Sequence, residues 1–148
     1  MRPTLLVVAT LAALAALPGR ALASSSIAAG GYTQSPGSSG GAVILSSGAS
    51  IPAVPLEVQA SLMTAIAGQG GYALTGEIRG FTGGGFGGAY VGAGAGIGNL
   101  STDRSPGTVL TIFAGKSIAP FTSIELRAYR QTKESGATAG FIGLRFSF

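Results

Sequence analysis

Six charged residues of this chain obey a two-residue rhythm. Glu57, Glu77, Arg79, Glu125, Arg127 and Arg145 are each flanked by Val, Leu, Ile, Phe or a small residue, so charge and hydrocarbon occupy alternate positions. Residues two apart share a face of a β-strand, whereas a helix repeats every 3.6. The last segment shows the pattern best: Ile142, Leu144, Phe146 and Phe148 fall on one side, with Gly143, Arg145 and Ser147 on the other. A strand with one hydrocarbon face and one charged face suits a barrel wall that has lipid outside and a polar lumen inside.

The same alternation recurs upstream. Val54, Leu56, Val58, Ala60, Leu62 and Ile66 oppose Glu57, Gln59, Ser61 and Met63. Tyr72, Leu74 and Ile78 oppose Thr75, Glu77 and Arg79, and Ile124, Leu126 and Ala128 oppose Glu125, Arg127 and Tyr129. Leu110, Ile112 and Ala114 against Thr111, Phe113 and Gly115 give a blurred version. Ile27-Ala28-Ala29 and Ala42-Val43-Ile44-Leu45 do not alternate cleanly. Clusters of Gly, Ser and Pro divide the chain into eight expected strands over 26–34, 40–48, 53–66, 70–81, 88–99, 107–118, 122–132 and 138–148. Glycine, 26 residues of 148 and spread through these segments, costs about 1 kcal/mol per residue in a helix relative to Ala. Such a composition also fits disorder, but the repeated alternation of bulky apolar residues argues against it.

The N-terminus reads as a secretory signal peptide over 1–23. Arg2 precedes an apolar run from Leu5 to Leu17 broken only by Thr10, then Pro18-Gly19, then the small residues Ala21 and Ala23 that mark a cleavage site. The run is shorter than the ~20 residues that span a bilayer as a helix. Residues 24–148 form one domain. If they enter a membrane they must close into a barrel, because open sheet edges stay unpaired in hydrocarbon. The expected fold is therefore all-β: an eight-stranded antiparallel up-and-down transmembrane β-barrel, with both termini on the periplasmic side.

With hydrocarbon outward, Glu57, Glu77, Glu125, Arg79, Arg127 and Arg145 all face the lumen, three acids against three bases. An eight-stranded barrel has room for side chains to fill its interior, and buried ions require partners. The expectation is an ion-pair network that plugs the lumen; solvated charges on a soluble sandwich are the competing account. Lys116 and Arg130 share parity with apolar neighbours and lie near strand ends, where long cations snorkel. Arg130 is expected at the external rim, within reach of lipopolysaccharide phosphates. Phe81, Phe86, Phe121, Phe146 and Phe148 are expected near the periplasmic edge, and Tyr32, Tyr72 and Tyr129 toward the outer one, as aromatic girdles. In Tyr90–Gly98 the four alternate glycines point inward, leaving room for long side chains from the opposite wall and letting the strand curve. Gly83, Gly85 and Gly88 match G-x-G-x-x-G, but no helix follows, so dinucleotide binding is not expected.

The chain has no His and no Cys, which removes Ser-His-acid, Cys-His and His-ligated metal chemistry. Glu57, Glu77 and Glu125 leave two-carboxylate chemistry formally open, though three arginines of the same facing favour structural pairing. No enzymatic activity, catalytic residue, cofactor or metal is expected. With few ionisable groups and no charge run longer than Asp103-Arg104 or Lys133-Glu134, no nucleic-acid partner is expected either.

Residues 115–130, Gly-Lys-Ser-Ile-Ala-Pro-Phe-Thr-Ser-Ile-Glu-Leu-Arg-Ala-Tyr-Arg, with 140–148, Gly-Phe-Ile-Gly-Leu-Arg-Phe-Ser-Phe, resemble the last hairpins of the opacity-type, outer-membrane-protein-A-like small barrels. Tyr90–Gly98 resembles that family's Tyr-Val-Gly-x-Gly-x-Gly strand. The resemblance covers roughly 88–148 and implies a Gram-negative outer-membrane location. It also implies that Ile142, Leu144, Phe146 and Phe148 form the C-terminal signal read by the barrel-assembly machinery. Family members carry long outer loops; here the candidates, 34–39, 67–69, 100–106 and 133–137, are short. The functional expectation is a non-enzymatic, monomeric envelope protein contacting outer-membrane lipid and lipopolysaccharide. The alternatives are a narrow pore for ions or small solutes, and a soluble lipocalin-like barrel holding an apolar ligand.

Overall fold

The computed structural model describes residues 23–35, 37, 39–51, 53–66, 71–83, 88–100, 105–132 and 136–148. All regular structure among them is β: β1 Ala23–Ser35, β2 Ser39–Ser50, β3 Leu56–Ala65, β4 Tyr72–Thr82, β5 Ala89–Asn99, β6 Gly107–Ala119, β7 Thr122–Gln131 and β8 Thr138–Ser147. Each strand pairs antiparallel with the next. β1 also pairs with β8, Ile27 opposite Phe146 and Tyr32 opposite Phe141, so the sheet closes in sequence order. Closure leaves no unpaired edge along the wall, the condition for standing in hydrocarbon. An even strand number brings both ends of the described chain to one end of the barrel, here called the terminal end; the other is the distal end.

The expected strand count stands, with shifted boundaries. The segment expected from 53 begins at Leu56, because Ala53 adopts a left-handed φ of 67° and belongs to the turn out of β2. The strand expected from 26 begins at Ala23. The β6–β7 connection is a tight turn through Pro120 and Phe121, with Phe121 at φ 58° and a register irregularity between Ser117 and Ala119. The expected signal peptide and Ala21, like Phe86 and most of the outer-loop segments, lie outside the described residues; Ala23 is the first residue of β1.

The outer wall is hydrocarbon. Ile112, Ile97 and Ile142 are 65%, 60% and 58% exposed, and Val58, Ile78, Val91 and Leu126 join them. A soluble lipocalin-like barrel would present the reverse. Inside, the lumen has two zones. The distal half packs Tyr32, Ala42, Ile44, Met63, Ala73, Val109, Tyr129, Ala139 and Phe141 into an apolar core. The other half holds the charges. This split explains the poor alternation of β1 and β2: Ile44 faces the apolar lumen while Val43 and Leu45 face outward, so hydrocarbon sits on both sides of β2.

Candidate functional site: the ionic plug of the lumen

All six charges assigned inward by parity are buried in the lumen. Five side chains from four strands close a circuit. Arg127 Nη1 donates to Glu77 Oε1 at 2.6 Å, and Arg127 Nε to Glu125 Oε1 at 2.5 Å. Arg145 Nη1 donates to Glu125 Oε2 at 2.9 Å, and its Nη2 to Gln59 Oε1 at 3.0 Å. Gln59 Nε2 then donates to Glu77 Oε2 at 2.5 Å, returning to the start. Gln59 and Glu77 stand on β3 and β4, Glu125, Arg127 and Arg145 on β7 and β8. These strand pairs lie halfway round an eight-strand cylinder from each other, so the circuit crosses the lumen.

Hydroxyls complete the solvation of the acids. Thr75 Oγ1 donates to Glu77 Oε1 at 2.6 Å and Ser61 Oγ to Glu77 Oε2 at 2.9 Å; Ser46 and Ser61 hydroxyls meet at 2.8 Å. Tyr90 OH donates to Glu125 Oε2 at 2.7 Å. The guanidinium of Arg127 lies 4.2 Å from the centre of the Phe113 ring, a cation–π contact. Beside the circuit, Arg79 Nη2 donates to Glu57 Oε2 at 2.7 Å, and Ser24 Oγ donates to the other oxygen of Glu57. Removing an ion from water costs several kcal/mol, offset only where charges and hydrogen bonds are well matched. Three acids face three bases and each acid holds at least two donors, while one buried N–H group of each arginine, Arg79 Nε, Arg127 Nη2 and Arg145 Nε, has no hydrogen-bond partner.

The glycines of β5 admit this packing in a way the sequence did not disclose. The space inside Gly92 is taken by the Phe113 ring of β6, and that inside Gly94 by Glu77 of β4, whose Cγ lies 2.6 Å from where a Cβ would stand. Adjacent strands, not the opposite wall, fill the gaps.

A polar clamp closes the distal end. Leu100, just past β5, is fully buried; its N–H donates to Gln131 Oε1 at 2.9 Å and its carbonyl accepts from Gln34 Nε2. Gln131 Nε2 donates to the Ser105 carbonyl at 3.0 Å, and Tyr32 OH to Gln34 Oε1 at 3.1 Å. Gln34 and Gln131 are buried on the lumen side, beside Tyr32 and Tyr129 on their strands, and nothing in the sequence indicated that the loop backbone would fold down onto them. Gln131→Ala leaves the buried Leu100 N–H without its acceptor, a loss of about 1–3 kcal/mol. The Leu100 amide is expected to exchange with deuterium at least tenfold faster in that variant, read by NMR.

Tyr32 and Tyr129, expected in an outer girdle, are buried in the lumen; only Tyr72 of that trio is exposed. Their parity with Gln34 and Arg127 outweighs their height along the barrel. Phe81, Phe121, Phe146 and Phe148 are exposed near the terminal end, and Phe81 also borders the lumen mouth, 4.8 Å from the Arg79 guanidinium. Lys116 and Arg130 are exposed on the outward parity, and Ile142 and Leu144 also face out.

No protein-family model and no curated protein matches the sequence. Solved structures do. The N-terminal β-barrel domain of Pseudomonas aeruginosa OprF matches 84% of this chain and 97% of its own, with a TM-score of 0.59 and 21% identity. Neisserial surface protein A matches 85% of this chain and 96% of its own, at TM-score 0.56 and 14% identity. Ail, the attachment invasion locus protein of Yersinia pestis, crystallised with a heparin analogue, matches 86% and 99% at TM-score 0.56 and 12% identity. The chain thus has the fold of the small outer-membrane barrels.

Proposed function

We propose that this chain is a non-enzymatic outer-membrane barrel with a structural role in the envelope, its lumen sealed against solutes. The cross-lumen circuit of Gln59, Glu77, Glu125, Arg127 and Arg145 carries this reading. It fills the barrel at mid-height, and the apolar distal core and the Leu100 clamp lie beyond it. A conducting path needs an aqueous column, and ions paired with one another across the lumen occupy the space it would need. Each acid is held in an ion pair, which disfavours its use as a general base. The exposed hydrocarbon wall supports the membrane location, and the wall strand that carries Ile142 and Leu144 outward supports recognition of the C-terminus by the assembly machinery. Arg130, exposed one residue from the distal end of β7, suits contact with outer-leaflet lipid phosphate.

Planar-bilayer recording of the refolded protein tests the seal. Silence is the expected result; discrete, reproducible openings would overturn it in favour of a pore. Membrane fractionation with gel migration before and after boiling tests the location. The folded barrel is expected in the outer-membrane fraction and to shift on heating, whereas recovery in the soluble periplasm would refute the assignment.

A further inference from the structure

On the terminal side of the ion circuit the lumen opens into a cup of about 340 Å³, lined by Arg79, Phe81, Tyr90, Ser117, Ser123 and Ser147 together with short glycine and alanine stretches. Its polar side chains are one cation and hydroxyls, and no carboxylate lines it among the described residues. Arg79 is only 5% exposed, and its guanidinium lies against the rings of both Phe81 and Tyr90, 4.8 and 5.0 Å from their centres. Glu57 occupies its Nη2, and the second oxygen of Glu57 is engaged by Ser24, which fixes that acid on one edge of the guanidinium. Arg79 borders the cup, although its Nε, like Arg127 Nη2 and Arg145 Nε, is buried without a hydrogen bond and is closed to it. The Ser117 and Ser123 hydroxyls stand 3.5 Å apart, too far for a strong bond to each other. The cup therefore gathers one guanidinium and three hydroxyls.

The geometry points to a binding site for a small oxyanion, a carboxylate or phosphate group, in this terminal-end cup, with Arg79 supplying charge and Ser117, Ser123 and Ser147 supplying hydroxyl donors. Planar guanidinium is well suited to oxygen anions. The aromatic pair holds the guanidinium in place beforehand, so little side-chain freedom is lost on binding. Entry is from the terminal end alone, because the circuit blocks the far side; the site binds without transporting.

The test is thermal unfolding of the refolded barrel in detergent, titrated with inorganic phosphate, acetate or chloride at matched ionic strength. A saturable rise in Tm with phosphate or acetate but not chloride is expected, and which of the two acts identifies the group recognised. The variant Ser123→Ala/Ser147→Ala is expected to weaken the apparent affinity about tenfold or more. Glu57→Gln/Arg79→Gln, which keeps the lumen neutral, is expected to abolish the rise. An equal rise with chloride, no rise with any anion, or an unchanged titration in the serine variant overturns the site. Should the Glu57–Arg79 variant fail to fold, the serine variant still decides.

Discussion

Arg127→Leu is expected to lower the stability of the barrel by about 3–5 kcal/mol, the cost of breaking a buried pair on one side. Arg127 donates to both Glu77 and Glu125, and none of the three side chains is exposed. Leucine preserves bulk against Phe113 but strands two acids, one of which keeps Arg145 and the other only hydroxyl and amide donors. Urea unfolding in micelles, followed by the gel shift between folded and unfolded forms, measures the loss. Adding Glu77→Gln restores neutrality in the lumen and is expected to recover a large part of it. A melt unchanged by Arg127→Leu would mean that the circuit contributes nothing to the fold.

Gly94→Ala is the second large effect. The new Cβ would press on Glu77, 2.6 Å from its Cγ, and still harder on the Gly76 carbonyl of β4. Backbone cannot retreat there without parting the β4–β5 ladder, so a loss of roughly 1–3 kcal/mol is expected from overpacking. Displacement of Glu77 from the circuit adds to it. The control lies one residue along β4. Gly76 faces outward, and a Cβ there finds its nearest neighbour at 4.0 Å. Gly76→Ala is therefore expected to stay within about 0.5 kcal/mol of the parent. Chemical denaturation of both variants side by side reads the contrast; equal effects would refute the inward packing of the β5 glycines.

Much of this was legible in the chain. The parity of six charges located the plug residue by residue, because a closed sheet admits only two faces and hydrocarbon claims one. Eight strands followed from the Gly, Ser and Pro punctuation. Parity alone also placed Tyr129 with Glu125 and Arg127, and it prevails over the expectation of a girdle tyrosine drawn from its position near a strand end. What the sequence hid depends on distance around the barrel. Gln59 and Tyr90 close contacts with residues far along the chain, Gln59 with Arg145 and Tyr90 with Glu125. No local pattern encodes such meetings. The Leu100 clamp was hidden for a different reason: it joins glutamine side chains to loop backbone, which has no periodicity to read. The weak first two strands were obscured by the apolar half of the lumen, which removes the contrast between faces.

The circuit ties the β3–β4 hairpin to the β7–β8 hairpin, and this has a consequence for how the molecule is made. Without the β7–β8 hairpin, Glu77 lacks Arg127 and Gln59 lacks Arg145, so an incomplete sheet holds an acid without its cation. The last hairpin acts as a keystone. It completes the wall and neutralises the interior together, so closure of the cylinder and pairing of its ions are coupled.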